Sequence, residues 1–210
     1  MKQDFTDITI IMDRSGSMAS CQQEAENGVN HFVEDQKKQP GTATFSLVQF
    51  DTEIQRVYDA AAIASVGTIK LEPRGMTALL DAVGKTINET GERLSKMNEE
   101  DRPGLVVVCI VTDGEENSSH EFKREQIKQM IEHQQTDFKW QFTFLGANQD
   151  AFAEAGAMGI NAAGIANYNV AVSGKAYGAM SNNVSRMRWS ASVGQPVNCS
   201  YTSDERTGMK

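Results

Sequence analysis

The chain has 210 residues, of which 40% are hydrophobic and 23% charged, a composition that fits a globular protein with a sizeable core. Its formal net charge of -8 at pH 7 disfavours nucleic acid or an anionic membrane as the main partner, because both attract basic patches. The longest apolar run, "LVVVCIV", is far too short to cross a bilayer, and no apolar signal segment opens the chain. We therefore expect a cytoplasmic protein that binds neither nucleic acid nor membrane.

Strand-like and helix-like patterns alternate along the chain. Apolar or alternating runs bounded by turn residues predict strands over residues 7–13, 43–50, 53–58, 105–113, 139–146 and 163–168. Apolar side chains at helical spacing predict helices over residues 17–38, 77–97, 121–134, 149–158 and 173–189. The almost wholly apolar run 105–113 is typical of a central strand in a parallel sheet. The weaker run 53–58 can pair antiparallel with 43–50 through a short turn.

This alternation predicts an α/β fold, namely a doubly wound, mostly parallel, Rossmann-like sheet with one antiparallel edge strand and flanking helices. We expect a single domain over residues 1–190 and a polar, partly disordered C-terminal tail over 191–210. Ligands of such sheets bind beyond the carboxyl ends of the strands, at a topological switch point. The residues that follow each strand are therefore the candidates for a functional site.

Oxygen-bearing side chains follow two predicted strands and open one predicted helix. The first strand ends in "DRSGSM", which places Asp13, Ser15 and Ser17 at alternate positions that can project to one side. Asp113 follows the longest apolar run, and Thr77 follows the loop "EPRGM". Two carboxylates and three hydroxyls, without His or Cys, suit Mg²⁺ or Mn²⁺, suit Ca²⁺ less well, and do not suit zinc. Singly, each residue also fits a helix cap or a turn, so the hypothesis depends on their joint placement.

Together, "DRSGS", the later "GMTALLDAV" and "VTDG" resemble the metal-ion-dependent adhesion site of von Willebrand factor A domains, of the intracellular bacterial or phage type. The resemblance implies that Ser15, Ser17 and Thr77 coordinate a divalent ion through their hydroxyls. It also implies that Asp13 and Asp113 hold coordinated waters and orient the serines. One coordination position would stay open for an acidic side chain of a partner protein, for example an AAA+ ATPase or a multiprotein assembly.

Two functions of different classes are consistent with these residues. The favoured one is a non-enzymatic module that recruits a partner protein through the bound ion. The alternative is a metal-dependent phosphohydrolase that uses the same strand-end aspartates. Against the enzyme, Ser15 stands where an Asp-x-Asp phosphotransfer motif needs its second carboxylate, and no motif fixes a Lys or His as acid or base. The complete ligand set argues against a third reading, a vestigial site in a structural protein.

We assign no ligand role to two groups of residues that lie close to these strand ends. Glu115, Glu116 and Asn117 follow Asp113 and Gly114; they could line the rim of the site and influence partner choice, but a solvated loop is the expected interpretation. Asp51 ends its own strand and is given no role.

Overall fold

The computed structural model describes residues 1–147 and 151–210, and within them six strands form one sheet. The strands are β1 (Lys2–Asp13), β2 (Thr42–Phe50), β3 (Ile54–Ala62), β4 (Pro103–Thr112), β5 (Gln141–Ala147) and β6 (Ile165–Tyr168). Their order in the sheet is β3-β2-β1-β4-β5-β6. Every neighbouring pair is parallel except β2 and β3, which pair antiparallel at one edge. The predicted fold class is thereby confirmed.

Strands β1 and β4 form the centre of the sheet, where both faces are covered. Ile10 of β1 lies opposite Cys109 of β4, and Ile11 lies opposite Ile110, with all four side chains buried. Successive side chains of a strand point to opposite faces, so a strand covered on both sides must be apolar at nearly every position. This explains the unbroken apolar run that the sequence shows in β4.

Helices pack on both faces of the sheet and bury their apolar stripes against it. In the described residues they are α1 (Gln22–Lys37), α2 (Leu79–Ser95), α3 (Arg124–Asp137), α4 (Ala151–Ala157), α5 (Ser173–Ser192) and α6 (Ser203–Gly208). One core layer joins α1 and α5 to the sheet, and the other joins α2, α3 and α4 to the opposite face. None of the helices in residues 1–147 and 151–210 is both long enough and apolar enough to cross a membrane.

The start of the first helix differs from the prediction in a way that affects the site. The sequence predicts a continuous helix over 17–38, whereas the structure has a 3-10 turn at Gly16–Ser20 and begins α1 at Gln22. The turn is tight because Met18 N donates to Ser15 O at 3.0 Å. The predicted helix 77–97 likewise begins later, at Leu79. Residues 149 and 150 of the predicted helix 149–158 lie outside the described residues.

The C-terminal segment lies against the sheet, whereas its polar composition predicts a partly disordered tail. Cys199, Tyr201 and Met209 are buried among the α1- and α5-side core residues. Arg206 donates to the backbone oxygen of Ile165 at 2.5 Å, which ties the segment to strand β6. These three apolar side chains are spread among polar neighbours and form no periodic pattern. The sequence therefore gives no sign that the C-terminal segment packs against the rest of the fold.

The contact between α1 and α5 generates a stability prediction. A Cβ atom added at Gly28 would lie 2.3 Å from Cδ2 and 2.9 Å from Cβ of the buried Tyr177, so the near end of that side chain blocks it. Gly28→Ala should therefore lower the free energy of unfolding by about 1–3 kcal/mol. The control is Gly178→Ala, where nothing lies within 4 Å, and this change should raise it by about 0.5–1 kcal/mol. Urea unfolding measures both variants, and equal midpoints would contradict the described packing.

Candidate metal centre

The carboxyl ends of β1 and β4 meet at one edge of the sheet. Residues Met12 and Val111 lie opposite each other in the parallel ladder, so Asp13 and Thr112 follow side by side. The chain leaves β1 through α1 to reach β2 on one side, while β4 lies on the other side of β1. The point between β1 and β4 is therefore the topological switch point at which sheets of this kind bind ligands.

Asp13 is buried and held by donors on both of its carboxylate oxygens. Oδ1 accepts a hydrogen bond from the backbone N–H of Ser15 at 2.6 Å, and Oδ2 accepts one from the hydroxyl of Thr112 at 2.5 Å. These bonds fix the orientation of the carboxylate and tie the end of β1 to the end of β4. Thr112, which the sequence did not single out, is thus part of the arrangement.

The two serine hydroxyls lie on one side of the turn, as their alternate spacing predicts. Ser15 Oγ and Ser17 Oγ are 3.0 Å apart, and Ser17 Oγ donates to Asp113 Oδ1 at 2.7 Å. Neither hydroxyl caps a helix, because Ser15 makes no side-chain cap bond to the 3-10 turn and Cys21 stands at the start of α1. The alternative reading of these serines as helix caps is therefore wrong.

Thr77, in the loop before α2, brings its hydroxyl close to the Ser17 hydroxyl and the Asp13 carboxylate, and all three groups lie near Gly114. A Cβ atom built on Gly114 would lie 3.1 Å from Thr77 Oγ1, 3.5 Å from Ser17 Oγ and 3.7 Å from Asp13 Oδ2. Three oxygens, two from the segment 13–17 and one from Thr77, thus surround one point that a larger residue would fill. Because Gly114 carries no side chain, that space stays open.

Asn117 holds the backbone of Thr77 in a reciprocal pair of contacts. Thr77 N donates to Asn117 Oδ1 at 2.9 Å, and Thr77 O accepts from Asn117 N at 3.1 Å. The prediction of a merely solvated loop after Asp113 is therefore incomplete, since this residue positions a candidate ligand.

Glu116 satisfies the first turn of α2 from outside the helix. Ala78 stands at the cap position of α2 and offers no side-chain oxygen, while Glu116 Oε2 accepts from Leu80 N at 2.9 Å. The first N–H groups of a helix need acceptors, so a predicted helix start without Ser, Thr, Asp or Asn at the cap indicates help from elsewhere. The sequence does not give this signal, because the predicted helix begins at Thr77, which itself fits a cap, whereas α2 begins at Leu79.

The electrostatics of the site favour a cation. Burial raises the pKa of Asp13, and the neighbouring Asp113 carboxylate adds to the increase although the bonds from Thr112 and Ser15 oppose it. Burial also raises the pKa of Asp113. Both carboxylates are thus costly to ionise when only neutral donors face them. A bound cation would lower both pKa values.

The donor set fits a small, hard divalent ion. The site offers carboxylate and hydroxyl oxygens and no nitrogen or sulfur, which suits Mg²⁺ or Mn²⁺. Among the described residues, no group of three or more His, Cys, Asp or Glu side chains is placed to hold a metal. A metal at this edge therefore depends on the hydroxyls of Ser15, Ser17 and Thr77.

Comparison with known families gives a match over most of the chain. The family model of the von Willebrand factor type A domain matches residues 7–185. No curated protein matches the chain. The matched range contains the strand-end residues described above and ends within α5.

Several solved structures share the fold. Proximal thread matrix protein 1 from the mussel byssus aligns with a TM-score of 0.61 and 16% identity, over 89% of this chain and 46% of that chain. A von Willebrand factor type A protein from Catenulispora acidiphila gives 0.60 and 16%, over 86% and 43%. The vWF domain of the type V pili tip protein Mfa5 from Porphyromonas gingivalis gives 0.59 and 11%, over 85% and 94%. The chain spans less than half the length of the first two proteins, and at these identities the likeness establishes the fold alone.

The open space at Gly114 gives a prediction for metal binding. Gly114→Ala should weaken Mg²⁺ binding about tenfold, or roughly 1.4 kcal/mol, because the new methyl group enters the space that three candidate oxygens surround. Gly16→Ala is the matched control, since its added Cβ would meet only Gly75 O at an ordinary 3.5 Å. Calorimetric titration of metal-stripped protein measures both. Equal affinities for the two variants would place any metal elsewhere.

The raised pKa of Asp113 gives a prediction for the metal-free protein. A carboxyl group with a raised pKa in the folded state contributes stability that is present below its unfolded pKa and is lost as pH rises through the folded pKa. Asp113→Asn cannot ionise, yet it keeps an oxygen that can accept from Ser17. In EDTA at pH 7 this variant should melt above the wild type, and the difference should shrink when the pH is lowered through the acid range. A lower melting temperature than wild type at pH 7 would mean that the ionised carboxylate stabilises the metal-free fold.

Proposed function

Because the chain belongs to the von Willebrand factor type A domain family, we propose that it is a divalent-metal-dependent module that binds another protein through an acidic residue of that partner. Domains of this family commonly mediate protein–protein interaction. The observation that carries the proposal is the convergence of oxygens from Asp13, Ser17 and Thr77 around the space at Gly114.

Each predicted site residue has a place in this proposal. Ser15, Ser17 and Thr77 are the direct ligands. Asp13 already accepts two hydrogen bonds from neighbouring donors, which favours a role in orienting ligands and holding coordinated water. Asp113 orients the Ser17 hydroxyl in the same way. When bound, Mg²⁺ or Mn²⁺ would supply positive charge and an open coordination position that a carboxylate can complete.

The exposure of the site matches recruitment from solvent. Thr77 and Ser15 are buried at its base, Asp113 is half-buried, and Ser17 is exposed at its mouth. Neutral hydroxyl ligands leave more of an ion's charge uncompensated than carboxylate ligands do, so an incoming acidic side chain is favoured. We propose a cytoplasmic setting in a bacterial or phage system, with an AAA+ ATPase or another multiprotein assembly as the partner.

Two observations favour binding over phosphoester hydrolysis. Ser15 occupies the position of the second carboxylate in an Asp-x-Asp motif, and its hydroxyl contacts Ser17. His31 and His133 pair with acidic residues one turn away on the exposed faces of their own helices. General acid–base catalysis needs such a group within hydrogen-bond reach of the reacting atoms.

The test compares Thr77→Ala with Thr77→Ser, which keeps the hydroxyl. Pull-downs from the native host in Mg²⁺ should recover a partner with wild type and with Thr77→Ser, and lose it in EDTA and with Thr77→Ala. Alanine replacement of the partner's acidic residues should then identify the one that completes the site. Retention of the partner in EDTA and by folded Thr77→Ala would refute metal-bridged binding. Turnover of a phosphoester panel that disappears with Thr77→Ala would favour the hydrolase.

A further inference from the structure

Asp51, at the end of β2, is a buried carboxylate that faces two arginines. The Asp51 side chain is 1% exposed and the Arg14 side chain is 6% exposed. Asp51 Oδ2 lies 2.8 Å from Arg14 Nε, and this contact is an ion pair without a hydrogen bond. Oδ2 also accepts a hydrogen bond from Arg74 Nε at 2.9 Å, and Oδ1 accepts one from Glu53 N at 2.6 Å. Burial acts to raise the pKa of Asp51, yet the Glu53 N–H and both guanidinium groups together hold it below its usual value.

The two arginines belong to the two segments that carry the proposed direct ligands Ser15, Ser17 and Thr77. Arg14 lies between Asp13 and Ser15 in the first segment. Arg74 lies in the loop that leads to Thr77, and its backbone N–H donates to Arg14 O at 2.8 Å. Asp51 thus contacts a side chain from each segment, at one carboxylate oxygen.

Backbone hydrogen bonds also link Asp51 and the Thr77 loop to residues directly beside the candidate ligands. The N–H of Ala78, directly after Thr77, donates to Asp51 O at 3.0 Å. The N–H of Gly16, between the two serines, donates to Gly75 O at 3.2 Å. The loop before α2 is therefore fastened both to the end of β2 and to the serine turn.

We propose that Asp51 is a positioning residue for the metal centre, which holds the serine turn and the Thr77 loop at the spacing that a divalent ion needs. The inference rests on the proposed function. Asp51 touches none of the candidate ligand side chains and acts through Arg14, Arg74 and the backbone of Ala78. It also offsets the positive charge of the buried Arg14 guanidinium.

The test is Asp51→Asn, which keeps the shape and one acceptor oxygen but removes the charge that both arginines contact. Calorimetry with Mg²⁺, and separately with Mn²⁺, should show binding weakened by about tenfold to a hundredfold, the range typical of residues that orient metal ligands. Glu53→Gln is the matched control, because Glu53 binds the same Arg74 at 2.6 Å but is 73% exposed. An exposed pair contributes little, so this variant should stay within about twofold of wild type.

Melting of the metal-free variants separates positioning from general stability. A merely structural role would lower the melting temperature of Asp51→Asn in EDTA and leave Mg²⁺ affinity unchanged at temperatures where the variant is folded. That result, or an affinity within about twofold of wild type, would overturn the proposal. If Asp51→Asn does not fold, Arg74→Ala decides, since Arg74 is 56% exposed and its removal leaves the core intact.

Arg74→Ala should weaken Mg²⁺ binding by more than Glu53→Gln does, and equal affinities for these two variants would overturn the proposal. Thr77→Ala distinguishes this failure from failure of the proposed function. If Thr77→Ala abolishes Mg²⁺ binding while Asp51→Asn and Arg74→Ala do not alter it, the result supports the proposed metal site and refutes the positioning role of Asp51. If Thr77→Ala binds Mg²⁺ like wild type, the proposed site itself is wrong.

Discussion

The parallel pairing of β1 with β4 is the constraint on which the candidate site depends. It brings the ends of two distant segments side by side, so that Asp13 can accept a hydrogen bond from Thr112 and Ser17 can reach Asp113. The connections leave these two strands in opposite directions, which makes the space between their ends the switch point of the sheet. Gly114 keeps the last part of that space open.

Strand β1 contains two buried aspartates in contrasting environments. Both terminal guanidinium nitrogens of Arg93 contact the Asp7 carboxylate, and the Thr44 hydroxyl donates a hydrogen bond to it. The negative charge of Asp7 is therefore compensated by the protein. Asp13 receives only neutral donors, from Ser15 and Thr112. A buried carboxylate that faces only neutral donors reduces stability, as residues of functional sites commonly do. This property of Asp13 is consistent with the role proposed for it beside a divalent ion.

Much of this arrangement could be predicted from the sequence because it depends on local patterns. The apolar run of β4 and the alternation of Asp13, Ser15 and Ser17 determine strand placement and side-chain direction without reference to distant residues. The order of elements then brings the strand ends to one edge. The turn that replaces the start of the first helix was missed, since a 3-10 turn and an α-helix share nearly the same apolar spacing over a few residues.

The supporting contacts could not be predicted, because each depends on how a loop folds back in three dimensions. Asn117 and Glu116 look like ordinary polar loop residues until α2 begins beside them without a cap of its own. Asp51 becomes informative only when the neighbouring strands place Arg14 next to it and the following loop brings Arg74 to the same oxygen. Side-chain identity gives candidates for such roles, and only tertiary structure selects among them.

Anomalous diffraction from crystals grown with Mn²⁺ would locate the bound ion without relying on mutation. We expect a single strong anomalous peak at the β1–β4 edge, about 2 Å from the hydroxyl oxygens of Ser15, Ser17 and Thr77. One coordination position should be filled by water or by a carboxylate from a neighbouring molecule. A well-ordered crystal with no peak at that edge, or with a peak held by other residues, would contradict it.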